Sequence, residues 1–113
     1  MKQVDYITVA ELSEMAQKMY GGLVKGVVDL KKRLLVLDAE MHADEEQFLL
    51  EKDSKQEDLW GINLYPAKFG SDDFIEFDSM INIRPRQNNM SRGVEDEAIR
   101  KEITVLVLEK IKK

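Results

Sequence analysis

The chain has 113 residues, is 43% hydrophobic and 35% charged, carries a net charge of −5 and contains no cysteine. Those values suit one globular domain; the missing cysteine excludes disulfides, thiolate catalysis, iron–sulfur clusters and cysteine-ligated zinc. An acidic chain lacks the basic footprint of a nucleic-acid binder and the polybasic segment that holds a protein at an anionic membrane, so neither partner is expected.

Apolar runs reach only four residues, as in LLVL at 34–37, too short to span a bilayer. The N-terminal MKQVDYITVAEL has no apolar signal region. Together with the missing disulfides, this makes a reducing cytoplasm the expected setting.

The first predicted element is a helix. Thr8 and Glu11 have the spacing of a capping box, in which each side chain satisfies the other's free backbone N–H. Val9, Leu12, Met15, Ala16 and Met19 then recur at helical spacing, and Gly21-Gly22 ends the element. From Leu23 the period changes to two, which predicts a half-buried strand through Leu30 and a reversal at Lys31-Lys32-Arg33. Leu34-Leu35-Val36-Leu37 is apolar on both parities, so this strand is expected to be covered on both faces or to lie at an interface. Asp44 is the expected N-cap of a short helix with Glu45 and Glu46 in its first turn, and Phe48 and Leu49 face the core.

Residues 59–93 hold the only tryptophan, both prolines, and three of the four phenylalanines, so a site is expected there. Trp60, Ile62 and Leu64 alternate with polar or small neighbours until Pro66. After a connection containing Gly70, Ile75, Phe77, Ser79, Ile81 and Ile83 share one parity of a second strand, the predicted core face. Glu76, Asp78, Asn82 and Arg84 share the other parity with Phe74 and Met80. Glu95, Asp96 and Glu97 mark the start of a last helix, with an apolar stripe at Ile99, Ile103, Leu106, Val107 and Ile111, widened by Val105 and Leu108. The order αββαββα predicts an α+β fold with a four-stranded, mostly antiparallel sheet packed with helices.

The segments HADEEQFLLEKDSKQEDLWGINLYP, FIEFDSMINIRP and NNMSRGVED resemble an uncharacterised family of small prokaryotic proteins, a domain of unknown function found in bacteria and archaea. The resemblance implies a single-domain cytosolic protein. It supplies no activity and no catalytic residue.

Three clusters are candidates for chemistry. His42 with Asp44, Glu45 and Glu46 could ligate a metal, but one imidazole at a helix start reads better as capping, and no metal or cofactor is expected. Glu76 and Asp78, two apart on one strand face, could form a polar site with Asn63, Tyr65 and Asn82, or a solvated ionic ladder with Arg84. Arg84, Arg86 and Arg92, with no acid between them and a helix start beyond, could hold a small anion. Two functions follow. The first is a non-catalytic interaction module that forms a homodimer, based on the doubly apolar Leu34–Leu37 strand and the wide stripe of the last helix. The alternative is a small-ligand or anion-binding protein, or a metal-dependent enzyme, using Asn63, Tyr65, Glu76, Asp78, Asn82, Arg84, Arg86 and Arg92.

Overall fold

A computed structural model describes residues Met1–Lys113. The chain forms β1 (Lys2–Val4), β2 (Ile7–Thr8), α1 (Val9–Gln17), β3 (Val24–Asp29), β4 (Leu34–Leu37), α2 (His42–Leu50), β5 (Leu59–Leu64), β6 (Ile75–Glu76), α3 (Glu97–Lys110) and β7 (Ile111–Lys112). The α+β class holds, but the sheet has five strands, in the order β1-β4-β3-β5-β6, with every pairing antiparallel. The expected four strands become five because Lys2–Val4 adds to the outer edge of β4. A second, parallel pairing of β2 with β7 ties the entrance of α1 to the exit of α3, so the αββαββα order is also incomplete. No helix is long and apolar enough to cross a membrane.

Local chemistry explains most boundaries. Thr8 and Glu11 form the capping box at α1: Glu11 N–H donates to Thr8 Oγ1 at 3.1 Å and Thr8 N–H to Glu11 Oε1 at 3.2 Å. Asp96 caps α3 by accepting from the N–H groups of Ala98 and Ile99. The β3–β4 turn lacks glycine, so Arg33 adopts a left-handed φ of 58°. Buried Asp29 holds this turn, accepting from Lys32 N–H at 2.9 Å and from the Ser54 hydroxyl at 2.6 Å. At α2 the expectation of an Asp44 cap is corrected: the helix begins at His42, Met41 is the N-cap without a side-chain bond, and Asp44 lies exposed in the first turn.

The sheet is covered on both faces. Val24, Val28, Leu35, Leu37, Trp60, Ile62 and Leu64 point to the main core, filled by Leu12, Met15 and Ala16 of α1 and Ile103, Leu106 and Val107 of α3. Val27, Val36 and Leu59 point the other way, against Leu49 of α2. The double apolarity of β4 therefore has an internal cause: its alternate residues serve two cores. Leu49 is the one fully buried apolar side chain that α2 contributes, worth roughly 1.5–3 kcal/mol. One turn earlier, fully buried Glu45 opposes that gain. Its Oε2 accepts from Ala39 N–H at 3.1 Å, while Oε1 has no partner.

The hairpin differs most from expectation. β6 pairs with β5 only at Asn63 and Leu64, and the predicted second strand through Ile83 does not form. Instead residues Met80–Asn82 and Pro85–Gln87 form 3-10 turns, the first capped by the Ser79 hydroxyl, which accepts from Ile81 N–H. This exposes Ile83 and buries Asn82 and Arg84, which reverses the parity expected for these three. Side chains then cover the β5 edge that a strand would have covered. The Asn82 carboxamide accepts from Gly61 N–H at 2.8 Å and donates to Gly61 C=O at 3.0 Å, as an adjacent strand's peptide would. Arg84 donates to the carbonyls of Leu59 (2.6 Å) and Gln56 and stacks 4.2 Å over Trp60. Gly61 is required here, because a Cβ would lie 2.6 Å from the Ser79 side chain.

Two outcomes follow. Asn82→Ala leaves both polar groups of the buried Gly61 peptide without their partners and should lower stability by roughly 2–4 kcal/mol. Asn82→Asp should lose at least as much, since a carboxylate cannot donate to the Gly61 carbonyl. Urea unfolding checks both, and a loss under about 1 kcal/mol would mean that water replaces the carboxamide. The second outcome concerns pH. Burial pushes the Glu45 carboxyl from 4.5 up to about 9, so the unfolded chain ionises first as pH rises. Its contribution to stability is complete below pH 4.5 and is lost progressively toward pH 9. Glu45→Gln should remove that decline, giving an advantage over the wild type that grows with pH; a difference constant across the range would refute it.

Candidate functional site

The β5–β6 pairing sets Asn63 directly opposite Glu76, and the two-residue strand repeat brings Tyr65 and Asp78 to the same side. On that side lies a cleft of about 420 Å³ lined by Asn63, Tyr65, Glu76 and Asp78, with Arg92 from the following loop. Two further residues join from elements distant in sequence, His42 at the start of α2 and Lys25 of β3. Met41 and Met80, both largely exposed, form an apolar rim.

Glu76 is held from one side. Asn63 Nδ2 donates to its Oε1 at 2.9 Å and the Tyr65 hydroxyl donates to the same oxygen at 3.0 Å. Asn63 also donates to the Asp78 carbonyl at 3.2 Å, which orients the amide so that its buried Oδ1 is left without a partner. Asp78 pairs with Arg92, Nε to Oδ1, at 2.5 Å. Burial, and then the bond to Glu76, push the Tyr65 phenol above its usual value, so it stays a donor. His42 Nε2 lies 2.8 Å from the Ile62 carbonyl; that oxygen only accepts, so Nε2 carries the proton. Burial lowers the His42 pKa, with the nearby Lys25 charge acting in the same direction, and the Ile62 carbonyl opposes the shift only in part. The ring is therefore neutral at neutral pH.

The cleft unites five of the eight residues that the hairpin and arginine loop suggested. The other three lie elsewhere. Asn82 and Arg84 are buried along β5, engaged with backbone groups. Arg86 is exposed beside a separate depression of about 550 Å³ with Gln56, Glu57 and Gln87. The loop after Arg86 already holds an anion of its own: Glu95 Oε2 accepts from the N–H groups of Met90 (2.6 Å) and Ser91 (2.9 Å). These bonds hold the Glu95 carboxyl below its usual range. The acidic group around His42 does not converge either, since Asp44 is exposed while Glu45 is buried with its Oε2 on the Ala39 N–H. No three His, Asp or Glu side chains are grouped as metal ligands.

Sequence reasoning missed Lys25 and gave His42 a different role. The one signal that points to Lys25 is its register partnership with Asn63 across β3 and β5. His42 carries no local signal, because it reaches the cleft only when α2 packs on the sheet.

The chemistry of the cleft is that of a preset polar contact. One carboxylate is oriented by two neutral donors, a second is neutralised by arginine, and a neutral imidazole closes the inner wall. No curated protein and no solved structure matches the chain. A family model described as a protein of unknown function, DUF5674, matches residues 3–110. The chain therefore belongs to the DUF5674 family, to which no activity is assigned.

Proposed function

We propose that this is a non-catalytic binding domain that takes a small organic cation, an amine or a guanidine, in the cleft between α2 and the β5–β6 hairpin. The observation that carries the reading is the state of Glu76. Its carboxylate is fixed through Oε1 by Asn63 and Tyr65, both neutral, and forms no ion pair with any basic side chain of the chain. Orientation before binding reduces the entropy that a ligand's arrival would otherwise cost. The neighbouring cations are already engaged: Arg92 with Asp78, Lys25 Nζ with the Glu40 carbonyl at 2.8 Å, Lys68 over the Tyr65 ring at 5.0 Å. That engagement favours a cationic ligand over the small anion suggested by the arginines alone. Met41 and Met80 supply flexible apolar contacts for the body of such a ligand, and the net charge of −5 attracts it.

A second reading, self-association as a homodimer, is favoured by Val105 and Leu108, which are 53% and 47% exposed on α3. Leu34–Leu37 no longer supports it, since α2 covers that strand from within the chain. On this proposal the protein works as one domain in a reducing prokaryotic cytoplasm, in keeping with its lack of cysteine. It has no nucleic-acid partner, in keeping with its acidic balance.

A thermal-shift panel of small amines and guanidines, set against carboxylates and phosphates, tests the cleft. A cation present at about a hundred times its dissociation constant should stabilise the fold by roughly 2.7 kcal/mol. Glu76→Gln keeps an acceptor for Asn63 and Tyr65 but removes the charge, and should weaken binding about tenfold or more. Stabilisation by anions alone, or a cation indifferent to Glu76→Gln, would rule the proposal out.

A further inference from the structure

The outer side of α3 faces a second concavity, far in chemistry from the polar cleft. Leu108 and Thr104 form one wall, and Phe69, Phe74, Ile75 and Phe77 form the other, around about 470 Å³. Phe69 and Phe74 meet edge to face, with centroids 5.0 Å apart and planes at 88°, so this wall is a rigid aromatic surface. Leu108 and Val105 stand beside it on the helix, each about half exposed, and they are the two residues that widen the helix stripe beyond what the core uses. Within α3 itself only Ile103, Leu106 and Val107 are buried.

Charge on the two lips identifies the occupant. Asp72, on the loop side, and Glu97, Arg100 and Lys101, on the helix side, border the same depression near Val105, which leaves the helix lip net positive and the loop lip negative. Asp72 and Lys101 are exposed, and neither belongs to either of the two ion pairs in the molecule. A partner of one charge would match one lip and oppose the other. A second copy related by a two-fold axis matches both, because the helix lip of each copy meets the loop lip of the other.

We infer that the protein pairs with a second copy of itself, the Val105–Leu108 ridge of each α3 seating in the aromatic groove of its partner, with Lys101 of one copy facing Asp72 of the other. This deepens the self-association reading and rests on it. The surface is apolar at its centre and charged at its rim, the arrangement of a specific contact, and lies apart from the Glu76 cleft.

Light scattering and sedimentation of the full chain over a range of concentrations test it. The wild type should pass from monomer to dimer as concentration rises. Leu108→Glu should abolish the dimer, with circular dichroism confirming that the fold persists. Lys101→Glu, at an exposed position that does not threaten folding, should weaken dimerisation about tenfold or more, and Asp72→Lys added to it should restore pairing. A wild type that stays monomeric to millimolar concentration would overturn self-association altogether. A dimer that survives both Leu108→Glu and Lys101→Glu would leave self-association standing and overturn this surface.

Discussion

The β5 edge must be satisfied, and much of the molecule follows from how that is done. A buried strand that pairs on one side only leaves a row of N–H and C=O groups that cannot be left bare. Here β6 covers two residues of that row, and the Asn82 carboxamide and the Arg84 guanidinium cover the rest. An amide side chain can do this because it carries one acceptor and two donors in the geometry of a peptide. Asn82 uses its remaining donor hydrogen on the Arg92 carbonyl at 2.9 Å, which fixes the returning loop to the same point. Asn89 extends the principle: it donates to the carbonyls of Asn82, Ser91 and Gly93 and accepts from Glu95 N–H. Two asparagines thus do the work of a missing strand.

The second organising constraint is the double coverage of the central hairpin. β3 and β4 send alternate side chains into two cores of unequal size. The larger core binds α1 and α3 strongly, while α2 is held by Leu49 and opposed by the desolvation of Glu45. α2 thus buries one apolar side chain where α1 and α3 bury three each, and it is also the helix whose first residue, His42, forms a wall of the cleft. Elements that bury little apolar surface commonly carry binding groups, because stability there is partly given up for the position of a functional group.

Much of this was legible in the sequence where the cause is local. Thr8 and Glu11 announced their capping box, the change of period at Leu23 announced β3, and Leu34–Leu37 announced either coverage on both faces or an interface, of which the structure has the coverage. Of the polar parity of the hairpin, Asn63, Tyr65, Glu76 and Asp78 line one cleft, while Asn82 and Arg84 turn to the β5 backbone. Where the cause is distant, the reading failed. Residues 74–84 alternate as a strand does, yet whether they pair depends on Gly61, whose bare Cα admits Ser79 and leaves its peptide to Asn82. No periodicity within 74–84 encodes that glycine. β1, β2 and β7 span two or three residues each, too few to carry a period, and exist because larger elements bring them together. The place of Lys25 in the cleft arises in the same way, through strand register.

The edge and the cleft are linked through Arg92. Its carbonyl accepts from Ser79 N–H at 2.9 Å and from Asn82, so its backbone is set by the satisfaction of β5. Its side chain then reaches Asp78 rather than Glu76. Had the predicted strand run through Ile83, Glu76, Asp78 and Arg84 would have lain along one face, and cross-strand pairing would have neutralised the carboxylates in sequence. Instead Arg84 is withdrawn beneath Trp60, Arg92 takes one carboxylate, and Glu76 is left with neutral partners alone. The charge character of the cleft is thus a consequence of how a buried peptide at Gly61 finds its hydrogen bonds.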